Sequence, residues 1–516
     1  MFSLAFHRFI FATIYITITL AAEFHWQKFQ VPLDYSAPQN GSASIAIARY
    51  PSTSPKAQYR GPILFNPGGL GGSGVDAIVD NGAAFASVFG DEFDIMGFDP
   101  RGISYSTPTI SFFTSDAERR FLIPSTTTIL YPSLNASSNA LGTVWAQNQL
   151  LGKLALARDT DDILQHISTD NIARDMLRIS EAFGSESCNT GVFREYGSVL
   201  GATFATLFPD KVGRIIIDGV FKMKSYFTSN MTSMIEDVDA SLEEFFEGCH
   251  GAGPEICPFY EPTVSAISAK QDAVTESVKQ QPIAVVTPGS YGLMDVGFLR
   301  NTVLEALFDP YDDVTGFVPL GKSLAALAKG DATLIYNQSA VPTFECSASN
   351  STTLHENNLE AYMTIGCGDA VQINDTLAEL QDYWVGGLKH PCLLRASIPY
   401  SSGAVGAKNV SFPLLLVGNR LDAGTAHAGA VQTAEAFPGS VVLTQDSLGH
   451  TSLVAPSQCL WGYPREYFVN GTLPAVGTSC PIDIELENSQ RLGEEVDGCR
   501  VGDQQSCAQD YSRRVL

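Results

Sequence analysis

Five apolar runs, each ending in a Gly-rich or Asp-containing turn, dominate the hydrophobic pattern. They are GPILFNPGG (Gly61 to Gly69), FDIMGFDPRG (Phe93 to Gly102), VGRIIIDGV (Val212 to Val220), FPLLLVGNRLDAGT (Phe412 to Thr425) and VVLTQDSLGH (Val441 to His450). Short continuous apolar runs bounded by turn residues are the mark of strands buried on both faces. Helical periodicity separates several of them. Over Thr169 to Phe183, the residues Ile172, Met176, Ile179 and Phe183 share one face, and Ser198 to Phe208 is a small-residue helix suited to close packing on a sheet. The alternation predicts an α/β fold, a mostly parallel sheet with right-handed crossovers and helices on both faces.

The third and fourth runs lie about 190 residues apart, far beyond an ordinary crossover. Between them EDVDASLEEFFEGC, LRNTVLEALF and LGKSLAALAKG are helical in period. Residues 221–410 are therefore expected to be a mainly helical lid over the C-terminal edge of the sheet, shaping a pocket and excluding water. The core is expected in two parts, 23–220 and 411–485, followed by a tail at 486–516. The region after Cys459 reads as loop-rich and tied by disulfides.

The N-terminus changes the picture of where the chain works. His7 and Arg8 precede an apolar run from Phe9 to Leu20, followed by Ala21 and Ala22. That run suits a signal peptide over residues 1–22 better than a membrane span. Ten cysteines without paired CxxC spacing suit disulfides better than a zinc site. Sequons begin at Asn40, Asn135, Asn230, Asn337, Asn350, Asn374, Asn409 and Asn470. Together these predict a secreted glycoprotein with no membrane association after signal cleavage. A formal net charge of -24 argues against a nucleic-acid partner, because an acidic surface repels phosphate backbones.

The most informative motif is NPGGLGGSG, Asn66 to Gly74, directly after a predicted strand. Its glycines allow a tight turn with backbone N–H groups facing a cleft, where they can stabilise an oxyanion. Gly69, Gly71 and Gly74 also satisfy a dinucleotide-binding GxGxxG pattern, and Asp99 ends the next strand. The late strands break the tie. Asp422 follows one strand and His450 the next, the order in which an α/β-hydrolase presents its acid and base. The carboxylate would orient the imidazole, and the imidazole would shuttle the nucleophile's proton.

At this point the sequence resembles the tripeptidyl-aminopeptidase-like branch of the prolyl aminopeptidase family of α/β-hydrolases. The segments that carry the resemblance are VPLDY at Val31, NPGGLGGSG at Asn66, FDIMGFDPRGISYSTP at Phe93 and YGSVLGATFATLFPDKVGRIIIDGV at Tyr196. They continue with LLLVGNRLDAGTAHAGA at Leu414, GHTSLVAPSQC at Gly449 and NGTLPAVGTSC at Asn470. The resemblance runs from about residue 25 to about 485, weakest across the lid. It implies acyl transfer, with the Gly69 and Tyr196 amides as oxyanion donors, Asp422 as acid and His450 as base. It implies a peptide or small ester substrate and disulfides Cys459–Cys480 and Cys249–Cys257. No metal or organic cofactor is implied. Esterase activity is the close alternative, since the same apparatus hydrolyses esters.

One departure is sharp. The family would place a nucleophile elbow of the form GFSYG just before VLGATFA. Here Phe193-Arg194-Glu195-Tyr196-Gly197 stands there, with Glu195 at the serine position. Ser185 to Glu195 is polar and broken, so the strand before the elbow is expected to be missing. Three readings stand open. The stretch is an error in the coding sequence, the protein is a catalytically dead peptide binder, or Glu195 is itself a nucleophile. Ser73, Ser104, Ser106, Ser198, Ser323 and Cys188 lie outside an elbow context and do not replace the serine.

Overall fold

The computed structural model describes residues 24–115, 117–119, 139–160, 162–183, 189–228, 230–339, 357–370 and 405–483. The segment expected to be a signal peptide, Cys188 and the tail beyond 483 lie outside the described residues. Two N-terminal strands, β1 (His25–Pro32) and β2 (Ser42–Tyr50), precede the first buried run, β3 (Gly61–Asn66). Then come α1 (Gly74–Phe89), β4 (Phe93–Phe98), α2 (Ala140–Arg158), α3 (Thr169–Ala182), β5 (Asn189–Arg194), α4 (Tyr196–Leu207) and β6 (Val212–Asp218). After the insertion follow β9 (Leu415–Leu421), α12 (Ala428–Ala436), β10 (Val441–Leu448), α13 (Gln458–Asn470) and β11 (Ser479–Pro481). The nine-stranded sheet has the order β1-β2-β4-β3-β5-β6-β9-β10-β11. Only the β1–β2 and β2–β4 pairs are antiparallel.

The five apolar runs all become strands, as their burial demands. Sequence reading missed β1 and β2, because one partner edge leaves β1 mostly exposed and the alternation weak. It also misjudged β5. The segment from 189 to 194 is a central strand, pairing in parallel with β3 through Gly191, Val192 and Phe193, and with β6 as far as Arg194–Asp218. A strand this short needs few apolar side chains. Val192 enters the core on one face and Phe193 the core on the other. Gly191 leaves room for the Phe193 ring, since a Cβ there would lie 2.6 Å from that ring.

The insertion comprises α5 (Met223–Phe227), α6 (Val238–Ile256), α7 (Val264–Gln280), a hairpin of β7 (Ile283–Val286) and β8 (Tyr291–Met294), α8 (Val296–Phe308), α9 (Phe317–Leu327), α10 (Thr333–Ser339) and α11 (Asn358–Asp369). Helices α6 to α10 share their own core around Phe245, Phe259, Leu299, Leu320 and Leu324, which meets the sheet at Ala423 and Leu448. Helix α11 differs. Its Ala361, Met363 and Ile365 join the main core instead. The region after Cys459 is also more ordered than expected. Ser457 caps α13 through a hydrogen bond from the Leu460 amide, and Gly471 ends it in the left-handed region. Disulfides link Cys249 to Cys257 and Cys459 to Cys480. Among the described residues, no helix is long and apolar enough to cross a membrane.

The motifs VPLDY and DPRG meet around one buried ion pair, formed by Arg101 with Asp175 of α3. Arg101 donates from Nε to Asp175 Oδ2 at 2.7 Å and from Nη2 to Oδ1 at 2.6 Å. Its remaining donors reach the carbonyls of Pro32 and Leu33, and the Tyr35 hydroxyl donates to Asp175.

Candidate active site

The site is built at the C-terminal ends of β3, β5, β9 and β10. Between β5 and α4 the chain reverses at Glu195, whose backbone holds φ 51° and ψ -113°. That conformation costs a non-glycine residue on the order of 1–3 kcal/mol and persists only where its surroundings enforce it. Here the Glu195 amide donates to the Asp218 carbonyl at 2.9 Å, and the Ser198 amide donates to the Glu195 carbonyl at 2.8 Å. Gly197 and Gly201 allow α4 to pack against Phe193, with space for a Cβ only 3.3 Å and 3.1 Å from that side chain. The elbow is therefore formed although its serine and first glycine are absent. The helix starts at Tyr196, two residues before the expected start at Ser198.

Facing the elbow, the loop after β3 turns through Gly68 and Gly69 at φ 100° and 67°. Any side chain at Gly68 would collide with the Arg194 carbonyl, 2.5 Å from an added Cβ. The consequence is a two-donor cradle. The Gly69 amide and the Tyr196 amide both donate to Glu195 Oε2, the latter at 2.6 Å. The carboxylate of residue 195 thus fills the position an oxyanion would occupy. The dinucleotide alternative loses its acid, because Asp99 is fully buried and engaged. It accepts from Ser73 Oγ and from the amides of Val75 and Tyr105.

Asp422 and His450 come together as expected. His450 Nδ1 lies 2.9 Å from Asp422 Oδ1, leaving Nε2 as the working nitrogen. Asp422 is fully buried and accepts from the amides of Gly424, Thr425 and Thr451 and from the Thr425 hydroxyl. Insertion and core meet here too. The His450 amide donates to the Phe308 carbonyl at 2.7 Å, and the Phe308 and His450 rings lie 5.2 Å apart.

Burial alone would pull the His450 pKa down. The Asp422 carboxylate, its hydrogen bond and the Glu195 charge push harder the other way, so it lies above 6.5. Burial would raise Asp422, but His450 and the surrounding amides hold it below 3.8. The raised His450 pKa adds stability below 6.5 that is lost as pH rises through the folded value. The lowered Asp422 pKa adds stability above 3.8 that is lost as pH falls through its own. The stabilisation that wild type shows over His450→Gln, read as a Tm difference, is therefore expected to be largest between these limits and to shrink on either side. A difference flat from about pH 5 to about pH 9 would contradict this.

Arg194 sits behind the elbow, donating to Thr451 Oγ1, with Nε 3.6 Å from Asp218 Oδ2. Burial pulls its pKa down against the opposing charges of Asp218, Glu195 and Asp422. A second supporting network escaped sequence reading. Asp369 on α11 is fully buried and accepts from the Thr169 amide at 2.8 Å, the Thr169 hydroxyl at 2.5 Å and the Tyr226 hydroxyl at 2.8 Å. With its own proton given to Asp369, Thr169 accepts from the Tyr196 hydroxyl at 2.7 Å. Burial pushes the Asp369 pKa up to about 6. No sequence signal links a lone aspartate to a residue so far away in the chain.

The other serines are structural. Ser73 caps α1, Ser106 bridges the Ala46 amide and the Asp99 carbonyl, and Ser198 accepts from the Phe221 amide. Ser323 is buried within α9, and Ser104 belongs to the loop held by Asn357. Among the described residues, no group of His, Cys, Asp or Glu is arranged to hold a metal ion.

A doubly supported elbow, an amide cradle facing it, and an acid–histidine pair after successive late strands define an α/β-hydrolase. Residues 61–249 match the family model for the alpha/beta hydrolase fold, and residues 388–480 match the model described as TAP-like protein. The chain has the α/β-hydrolase fold, and these matches together with its relatives support a TAP-like α/β-hydrolase. It is 26% identical over 476 residues to the tripeptidyl aminopeptidase of Streptomyces lividans, covering 87% of this chain and 82% of the relative. It is 24% identical over 474 residues to serine protease Hip1 of Mycobacterium tuberculosis, covering 88% of this chain and 86% of the relative. It is 24% identical over 477 residues to carboxylesterase B of Mycobacterium tuberculosis, covering 87% and 85%. These relatives place the chain in a serine hydrolase lineage.

Proposed function

We propose that this protein comes from a lineage of secreted hydrolases of the kind that releases residues or short peptides from peptide N-termini, and that its apparatus performs that reaction only with serine at position 195. In this reading Gly69 and Tyr196 bind the oxyanion, His450 acts as base and then acid, and Asp422 orients it. The observation that carries the reading is the elbow at residue 195, with both amide donors converging on its side chain. The peptidase relatives and the export signal support the substrate and the location, and the carboxylesterase relative keeps small esters as a second substrate class.

With glutamate at 195, acyl transfer is blocked. Attack by a carboxylate on an acyl carbon would give an anhydride, and the substrate oxyanion would find its donors already engaged. Sequencing the transcript across codons 185–195 decides what the cell makes. Reads encoding an apolar strand and GxSxG would restore a serine enzyme. Reads confirming SESCNTGVFREYG would remove that possibility and leave a chain silent in acyl transfer. The peptide-binding reading is favoured by the filled cradle itself, and it predicts peptide binding without cleavage. In a Glu195→Ser chain, equal turnover of free-amine and N-blocked aminoacyl substrates would argue against an aminopeptidase.

A further inference from the structure

We propose that the chain with Glu195 is a hydrolase of primary alkyl halides, with the Glu195 carboxylate as nucleophile and His450 as the base that releases the alkylated enzyme. The placement of the carboxylate fits this substrate class. Oε2 is held by the Gly69 and Tyr196 amides, while among the described residues no hydrogen bond commits Oε1. A substrate that develops its own oxyanion cannot use a cradle already filled. Displacement at an sp³ carbon develops none. A halide leaves with its bonding pair and needs no proton, so the first step asks nothing of the site beyond a held carboxylate.

The second step asks for what stands beside it. In the first step Glu195 Oε1 bonds to the primary carbon and the carbon–halogen bond breaks, leaving a glutamyl ester whose carbonyl oxygen is Oε2. That oxygen already sits on two amide donors, so the cradle now serves the enzyme's own ester. His450 Nε2 takes a proton from water while Asp422 holds Nδ1. The water oxygen attacks Cδ, and negative charge gathers on Oε2. Collapse breaks the Cδ–Oε1 bond, and the departing oxygen takes the proton from His450. The sum is alkyl halide plus water giving alcohol, halide and a proton. Both groups are open to solvent in part, Glu195 and His450 each being half-buried.

The test uses the intact chain and 1-bromohexane, reading bromide release and the mass of the tryptic peptide 195–211. Wild type is expected to release bromide catalytically. His450→Gln is expected to release about one equivalent and then slow on the order of 10²–10⁴-fold, with a hexyl group retained on that peptide. Glu195→Gln is expected to show neither adduct nor release above buffer. In H₂¹⁸O with enzyme in excess, the first-turnover hexanol should be unlabelled and Glu195 should gain the label. No bromide release with peptide 195–211 unmodified, adducts confined to other peptides, or label in the first-turnover hexanol would each overturn the proposal. Failure of a Glu195→Ser chain to react with a fluorophosphonate would instead sink the acyl-bond reading and leave this one standing.

Discussion

Replacing Glu195 by serine is expected to turn a chain inert to fluorophosphonates into one that is covalently labelled and hydrolyses small activated esters. Three physical changes act together. The carboxylate leaves the cradle, so the Gly69 and Tyr196 amides become available to a substrate oxyanion. The elbow backbone stays, because its hydrogen bonds to Asp218 and Ser198 are main-chain bonds. The hydroxyl then projects into the site served by His450, whose Nδ1 is already fixed by Asp422. One oxyanion donor is worth about 10²–10³ in rate, and an assembled triad adds further orders of magnitude. The rise over the Glu195 chain should therefore exceed roughly 10³-fold. A His450→Ala change in the same background should return it to baseline. A Glu195→Ser chain that keeps the wild-type melting temperature and takes no label would show that the apparatus is not competent.

The second large effect falls on stability. Asp175→Ala is expected to lower the unfolding free energy by about 3–5 kcal/mol, read from denaturant midpoints. The pair is bidentate, and both side chains are 1% exposed. Truncating the acid leaves an uncompensated guanidinium in the core and also strands the Tyr35 hydroxyl. The size of the loss comes from that stranded charge. Replacing both partners by apolar residues of similar volume should recover most of it. A loss below about 1 kcal/mol for Asp175→Ala would mean that water reaches the pair.

Much of the site was legible along the chain. Asp422 and His450 follow apolar runs in the right order, and runs of that kind must be strands because only a doubly covered sheet hides them. The oxyanion turn was legible for a related reason, since five glycines within nine residues after a strand have few uses. Asp369 and Thr169 were not legible. Their roles depend on α11 leaving the insertion and packing on the main core, which no local pattern announces.

Residue 195 divides the two kinds of knowledge most clearly. Sequence alone determined that a glutamate stands where a serine is expected, that its flanks match a hydrolase, and that acid and base are present. It misjudged the strand beside it, because 185–195 as a unit looks too polar for a sheet centre. Tertiary structure decided otherwise. Six residues suffice when β3 and β6 supply hydrogen bonds on both edges, and Val192 and Phe193 suffice when each enters an existing core. Where the Glu195 carboxylate points was likewise a tertiary matter. Its oxygen lies on two amides, one next to it in the chain and one 126 residues away, a convergence set by backbone conformations that only the packed sheet can impose.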